Sequence, residues 1–444
     1  MLEVEIIHSC GKAKLIKEFV LERWLVCKSS LRGHIAVPPS KSQCIRAILF
    51  GMLGNGLTTV HNCLVSPDVA AMERACEQLG AKIQRTGERS LEIKGVNRCP
   101  KTPADVIDAG NSGLVLRFIG AIAALTGGYT VITGDRSVRS QRLISPLIDG
   151  LSALGAFAQS SQRNGYAPLI VRGPLYPGVA TILGEDSQPV SALLIAASFL
   201  EGPTEITVTH PGEKPWVGLT LHWMDRLGLD CKHQDFTHYT LKGNGRYQGF
   251  SYTVPGDFSS AAFPLVAALL TDSEVTLTHL DHTDPQGDKK LIEILQNMGA
   301  HIDVDEHGLT VRRGGMLKGA VIDVNDCIDA ITILAVVGCF ASGETRIFNA
   351  ASARNKECDR IACIAKELRK MGASIEETRD GLVIQHSRLH SAQVYAHGDH
   401  RMAMSLVVAA LATPGETIVE GGECVVKSYP QFIEHMQSLG AHIS

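Results

Sequence analysis

The chain has 444 residues, 45% hydrophobic and 20% charged, a balance that fills more than one core and excludes a disordered or fibrous protein. Its 42 basic and 46 acidic side chains leave a formal charge of −4, and aromatics reach 5%. A basic nucleic-acid footprint and base-stacking platforms are therefore excluded. The 12 cysteines form no C-x-x-C pair and read as reduced thiols of a cytoplasmic protein, not as zinc ligands. Apolar uncharged runs such as Ala330 to Gly343 reach about 14 residues, short of the roughly 20 of a membrane span. Glu3, Glu5 and Lys12 precede any apolar run, so no secretory leader is expected.

In chain order, residues 1–31 carry the apolar stretch Phe19 to Val26, which either packs on the first domain or marks a misassigned start. The segment Pro38-Pro39-Ser40-Lys41-Ser42-Gln43-Cys44-Ile45-Arg46 then opens an apolar helix with a lysine, a serine and an arginine in its first turns. Helical periodicity from Ala70 stops at Leu79-Gly80-Ala81, and Ser90-Leu91-Glu92-Ile93 alternates like a strand. The same succession returns five times. Asn111-Ser112-Gly113 opens a helix, the arginine-dense loop Gly134 to Arg142 follows, and Leu154-Gly155-Ala156 closes the unit. Asp186-Ser187-Gln188 is answered by Leu227-Gly228-Leu229, and Asp257-Phe258-Ser259 by Met298-Gly299-Ala300. Asp326 and Asp329 are answered by Met371-Gly372-Ala373, and Asp399-His400-Arg401 by Leu439-Gly440-Ala441.

The stop glycines 80, 155, 228, 299, 372 and 440 are 75, 73, 71, 73 and 68 residues apart. The helix openings 42, 112, 187, 259, 329 and 400 keep the same period. Each glycine is expected in the left-handed region that ends a helix. Helices of small apolar residues on all sides are expected to be buried. Six α/β units of this size exceed one core, which predicts two domains of three units.

Six polar helix openings give six N-termini with free N–H groups and partial positive charge. Ordinary N-capping is one reading of their polar residues. A cleft where the ends converge on anions is the other, and the basic residues crowding the same places favour it. Opposed positive ends would repel each other and hold such a cleft open. No Walker A, G-x-G-x-x-G, H-E-x-x-H or G-x-S-x-G motif occurs, so neither a cofactor nor a metal is expected. The remaining chemistry is proton transfer on small polyanions.

The segments P-S-K-S-x-x-x-R, G-N-S-G, V-P-G-D-x-S-S-A-A, R-x-K-E-x-D-R-I and D-H-R-M-A-M resemble the enolpyruvyl transferases, within them the branch acting on shikimate 3-phosphate. The similarity runs from about Arg32 to the C-terminus. It implies a two-domain inverse α/β barrel of six βαβαββ repeats. Residues 1–39 plus 255–444 would form one domain and 40–254 the other, with the active site between them. It implies transfer of the enolpyruvyl group of phosphoenolpyruvate to the 5-hydroxyl of shikimate 3-phosphate, with release of phosphate. Lys41, Gly113, Arg142, Gln188, Arg360, Arg401 and Lys427 would hold phosphoenolpyruvate. Ser42, Arg46, Ser187, Gln188, Asp329 and Lys356 would hold shikimate 3-phosphate. Asp329, Glu357 and Lys41 would be catalytic, with Asp329 as base toward the hydroxyl and Glu357 as acid toward the methylene carbon. The expected partners are these two small molecules, with no nucleic acid and no membrane, and the chain is expected to be a monomer. The herbicide glyphosate, an anion longer than phosphoenolpyruvate, would share its pocket and be tolerated because residue 113 is glycine.

Several positions depart from the family's commonest pattern: Asp186, Glu213, Leu114 and Ser352, with a carboxylate at 213 where a phosphate-binding serine is expected. The arginine loop is one residue longer, so Arg139 competes with Arg142. Two other functions compete with this reading. A UDP-N-acetylglucosamine enolpyruvyl transferase usually carries a cysteine after the second helix, and none occurs between Cys99 and Cys231. A non-catalytic anion-binding paralogue would account for Asp186 and Glu213.

Overall fold

The computed structural model describes residues 22–305 and 308–444. Six inner helices carry the repeat: Lys41–Leu53, Gly113–Ala123, Ser187–Ala197, Phe258–Leu270, Ile331–Phe340 and His400–Leu411. They are buried over almost their whole length, as small apolar residues on every face require. Six outer helices alternate with them, and each stops just before a repeat glycine. All six glycines have positive φ, from 68° at Gly228 to 106° at Gly80, the left-handed stop that side chains resist.

The strands form six four-stranded sheets of one design. An edge strand lies parallel to the second strand, and two further strands add antiparallel, as a hairpin in five of the six sheets. Val179–Leu183 lies parallel to Thr204–Thr209, for example, which pairs with His238–Leu241 and through it with Cys231–Gln234. Two edge strands are exchanged. Arg32–Ala36 precedes the first inner helix but pairs with Glu274–Thr278 of the fourth unit. Ser251–Thr253 precedes the fourth inner helix but pairs with Leu57–His61 of the first. The segments following them run side by side, with Ser40 N–H donating to Pro255 O (2.8 Å) and Asp257 N–H to Pro38 O (2.9 Å). The buried apolar side chains accordingly fall into two clusters. One is drawn from Cys44 to Val254, the other from Trp24 to Val37 and Phe258 to Ile443.

The N-terminal stretch enters as a strand, and its residues 19–21 lie outside the described residues. Arg23–Cys27 is an inner strand of the sixth sheet, antiparallel to Glu416–Glu420 on one side and His442–Ile443 on the other. Trp24 and Val26 are buried, and Trp24 packs against Gly422, where a side chain would collide with the indole. A chain beginning at Arg32 is therefore expected to lose its cooperative melt, checked by circular dichroism against the full chain. Loss of one buried Trp costs about 3–5 kcal/mol, a large part of the roughly 5–15 kcal/mol of a domain, before the strand's hydrogen bonds are counted. The eleven described cysteines are all unpaired. Among the described residues no helix is long and apolar enough to cross a membrane.

Candidate active site

The inner-helix starts of the two clusters face each other across a cleft that is partly open to solvent. Every residue assigned from the sequence lines it: Lys41, Ser42, Arg46, Gly113, Arg142, Ser187, Gln188, Asp329, Lys356, Glu357, Arg360, Arg401 and Lys427. Asp68, Leu114, Glu213, Trp216, Ile328 and His400 line it too. Asp68 and Trp216 come from outer helices, where no repeat landmark marks a site.

The capping reading accounts for four of the six helix ends. Ser112 accepts from Val115 N–H (3.3 Å), Asp186 from Gln188 N–H (2.9 Å), Asp257 from Ser259 N–H (3.0 Å) and Asp399 from Arg401 N–H (2.8 Å). Ser40 makes no such bond, and the fifth helix starts at Ile331, later than its spacing implied. Asp329 sits instead in the 3₁₀ turn Asn325–Ala330, which is broken at Cys327, while Asp326 is exposed and outside the cleft. The cleft's positive charge is thus supplied mainly by side chains.

Carboxylates hold those cations in place. Asp329 accepts from Arg360 Nη1 (2.7 Å) and Arg401 Nη2 (2.6 Å). Burial would raise its pKa, but Arg401, Arg360 and Lys356 outweigh burial and hold it well below the usual carboxylate range. Glu357 pairs through Oε1 with Arg142 (2.6 Å) and Lys427 (2.6 Å), and through Oε2 with Arg360 (2.8 Å). Burial opposes its ionisation too, and Arg142, Lys427 and Arg360 overcome it. Glu357 is therefore held as a carboxylate here. Lys41 lies 3.3 Å from Asp68; burial lowers its pKa, and Lys427 and Arg401 add to the drop. Burial likewise keeps His400 well below its ordinary pKa and neutral, with Arg401 and Lys41 contributing.

Arg46 is held by neutral partners: Thr220 Oγ1 (2.9 Å), Trp216 O (3.1 Å) and Ser42 O (3.2 Å), with its guanidinium over the Phe118 ring. Burial lowers its pKa to about 9. Arg142, 4% exposed, is the loop arginine that reaches the cleft. The short helix Arg136–Ser140 turns Arg139 to solvent.

The opposed faces are also bridged. Glu357 and Lys427 meet Arg142 and Asn111 across the cleft, and Glu213 meets Lys356 (2.6 Å) and Ser352 (2.9 Å). Gln43 of one body donates to Asp284 of the other (2.7 Å). Repulsion between positive ends, expected to hold the cleft open, is offset by these carboxylates. Three of the four departures from the family pattern meet in one network: Glu213 binds Ser352, and Asp186 binds Arg117 (2.9 Å), which binds Gln188 (2.7 Å) beside Ser187.

Glu357, Asp399 and His400 lie close enough to share a cation. Arg360 already occupies both carboxylates, however, and Arg142 and Lys427 occupy Glu357 again, so a metal ion would face three competing cations.

A sequence profile of the EPSP synthase family (3-phosphoshikimate 1-carboxyvinyltransferase) matches residues 27–436, five residues further toward the N-terminus than the motif-based similarity. A 3-phosphoshikimate 1-carboxyvinyltransferase of Acetivibrio thermocellus is 42% identical over 420 residues, covering 94% of this chain and 98% of that one. The enzyme of the same name from Chlamydia caviae is 44% identical over 422 residues, covering 94% of each. The solved structure of EPSP synthase from Acinetobacter baumannii superposes with a TM-score of 0.80 at 29% identity, over 95% of this chain and 99% of that one. With its six repeated α/β units and a cation-lined cleft between two cores, the chain belongs to the EPSP synthase family.

Proposed function

We propose that this chain transfers the enolpyruvyl group of phosphoenolpyruvate to the 5-hydroxyl of shikimate 3-phosphate and releases phosphate. The observation that carries the reading is the convergence of seven cations on one cleft: Lys41, Arg46, Arg142, Lys356, Arg360, Arg401 and Lys427. Two substrates bringing two phosphates and two carboxylates need such a set, and guanidinium forks suit both groups. Among the described residues the two bodies are 22–39 plus 255–444 and 40–254, joined at the paired segments near Pro39 and Pro255. One chain supplies the whole cleft, which supports a monomer, and unpaired thiols support a reducing cytoplasmic setting. A phosphate-release assay with both substrates tests the reading; release that required a UDP-linked amino sugar instead would overturn it.

Asp329, ionised, takes the proton of the 5-hydroxyl as its oxygen attacks C2 of phosphoenolpyruvate. The C3 methylene gains a proton, and the tetrahedral adduct then loses a C3 proton and phosphate. The phosphate and carboxylate of phosphoenolpyruvate compete with Glu357 for Arg142, Arg360 and Lys427. As those cations turn to substrate, burial dominates and the proton affinity of Glu357 rises, so it can protonate C3 when substrate is bound. Lys41, already lowered by burial, assists the same transfer. The preorganised cations stabilise developing charge at little reorganisation cost.

Gly113 lies among the residues assigned to phosphoenolpyruvate, but the first neighbours of an added methyl there are protein. A Cβ would lie 2.8 Å from Arg117 Nη1 and 3.2 Å from Gln188 Oε1. Arg117 cannot yield freely, because Leu143 O (2.8 Å), Gln188 and Asp186 hold it. Gly113→Ala is therefore expected to weaken glyphosate inhibition about ten- to a hundredfold and also to raise the KM for phosphoenolpyruvate by about tenfold. Steady-state kinetics with both ligands would check this. A change confined to glyphosate would mean that the methyl meets only the longer ligand.

A further inference from the structure

Glu213 takes no part in the transfer as derived above, yet it is only 1% exposed. Ser187 supplies two donors to Oε2, its N–H at 3.3 Å and its hydroxyl at 2.8 Å. Lys356 Nζ (2.6 Å) and Ser352 Oγ (2.9 Å) donate to Oε1. The Glu213 backbone is left-handed (φ 48°, ψ 40°), a conformation costly for a residue with a side chain, and its N–H is pinned by Asn325 Oδ1 at 2.8 Å. An amide at a helix start, two hydroxyls and an ammonium are the surroundings of a bound anion. Here the anion belongs to the chain. Ser187 lies in one body, while Lys356, Ser352 and Asn325 lie in the other.

We propose that Glu213 is an internal occupant of an anion site and a specificity-determining latch: the phosphate of shikimate 3-phosphate displaces its carboxylate from Lys356 and Ser187. The proposal rests on the functional reading above. A dianionic phosphate outcompetes a single carboxylate for these donors, whereas a singly charged group does not. Each binding event then exchanges a cross-cleft tie for a contact with substrate.

The test uses the full chain with Glu213→Gln and, as a second variant, Glu213→Ser, each checked for a wild-type melt. Calorimetry gives dissociation constants for shikimate 3-phosphate, for shikimate and for inorganic phosphate. Shikimate keeps its carboxylate but lacks the phosphate, so the affinity ratio of the first two isolates the phosphate contribution. That ratio is expected to rise about tenfold in both variants, and inorganic phosphate to bind more tightly. In kinetics the KM for shikimate 3-phosphate should fall more than kcat or the KM for phosphoenolpyruvate changes. An unchanged or smaller ratio overturns the proposal. Equal tightening of all three ligands also overturns it, because net charge alone would then explain the effect. Failure of the functional reading would appear separately, as wild-type protein that releases no phosphate, while the inorganic-phosphate titration still reports on the occupied site.

Discussion

Asp329→Asn is expected to lower kcat by about 10²–10⁴ while leaving shikimate 3-phosphate binding largely intact. The amide keeps the shape of the side chain and can still accept one hydrogen bond, but it cannot take the proton of the 5-hydroxyl. The structure adds a second consequence. Asp329 holds Arg360 at 2.7 Å and Arg401 at 2.6 Å, so Asn frees part of the charge on both. Phosphoenolpyruvate, assigned to those arginines, should bind as well or better, and the loss should fall on kcat. Steady-state kinetics with a separate dissociation constant for each substrate checks this. Turnover within a few-fold of wild type would reduce Asp329 to a brace for two arginines.

Glu357→Gln is expected to be comparably slow, by about 10²–10⁴ in kcat, because it removes the group assigned to C3. Its second effect runs opposite to that of a simple binding loss. The carboxylate neutralises Arg142, Lys427 and Arg360 at 2.6 to 2.8 Å. Arg360 keeps Asp329 and Asp399. Lys427 keeps Asn111. For Arg142, Glu357 is the carboxylate partner among the described residues. Phosphoenolpyruvate should therefore bind more tightly to the variant while reacting more slowly, and exchange of its methylene protons with solvent should be suppressed. Deuterium incorporation at C3, followed by mass spectrometry in the presence of shikimate 3-phosphate, reads the step directly. Exchange at the wild-type rate would move the proton to Lys41.

The repeat was legible because its marks are local. A helix that must stop at a left-handed residue ends in glycine, and a helix buried on all sides is written in small apolar residues. Six copies at one period placed six helix starts, and the basic residues at those starts proved to share one cleft. The exchanged edge strands and the N-terminal strand carry no such mark. Arg23–Cys27 pairs with residues about four hundred positions away, and its sequence is compatible with any sheet that offers an open side.

Chemical state was decided by tertiary structure alone. Glu357 reads as a candidate acid if only its burial is imagined, yet Arg142 and Lys427 from distant segments, with Arg360 three residues on, hold it as a carboxylate. Arg139 and Arg142 are equivalent in sequence, and one short helical turn separates a solvated arginine from one paired in the cleft. Glu213 was visible as a departure from pattern, but that it binds Ser187, Ser352 and Lys356 follows only from how the two bodies meet. The six units, their stops and the residue types brought to the cleft follow from the sequence, because backbone conformation and hydrophobic period act over a few residues. The tertiary structure decided which strands complete which sheets and which charges neutralise which, because pairing and electrostatics depend on distances through space that no local spacing encodes.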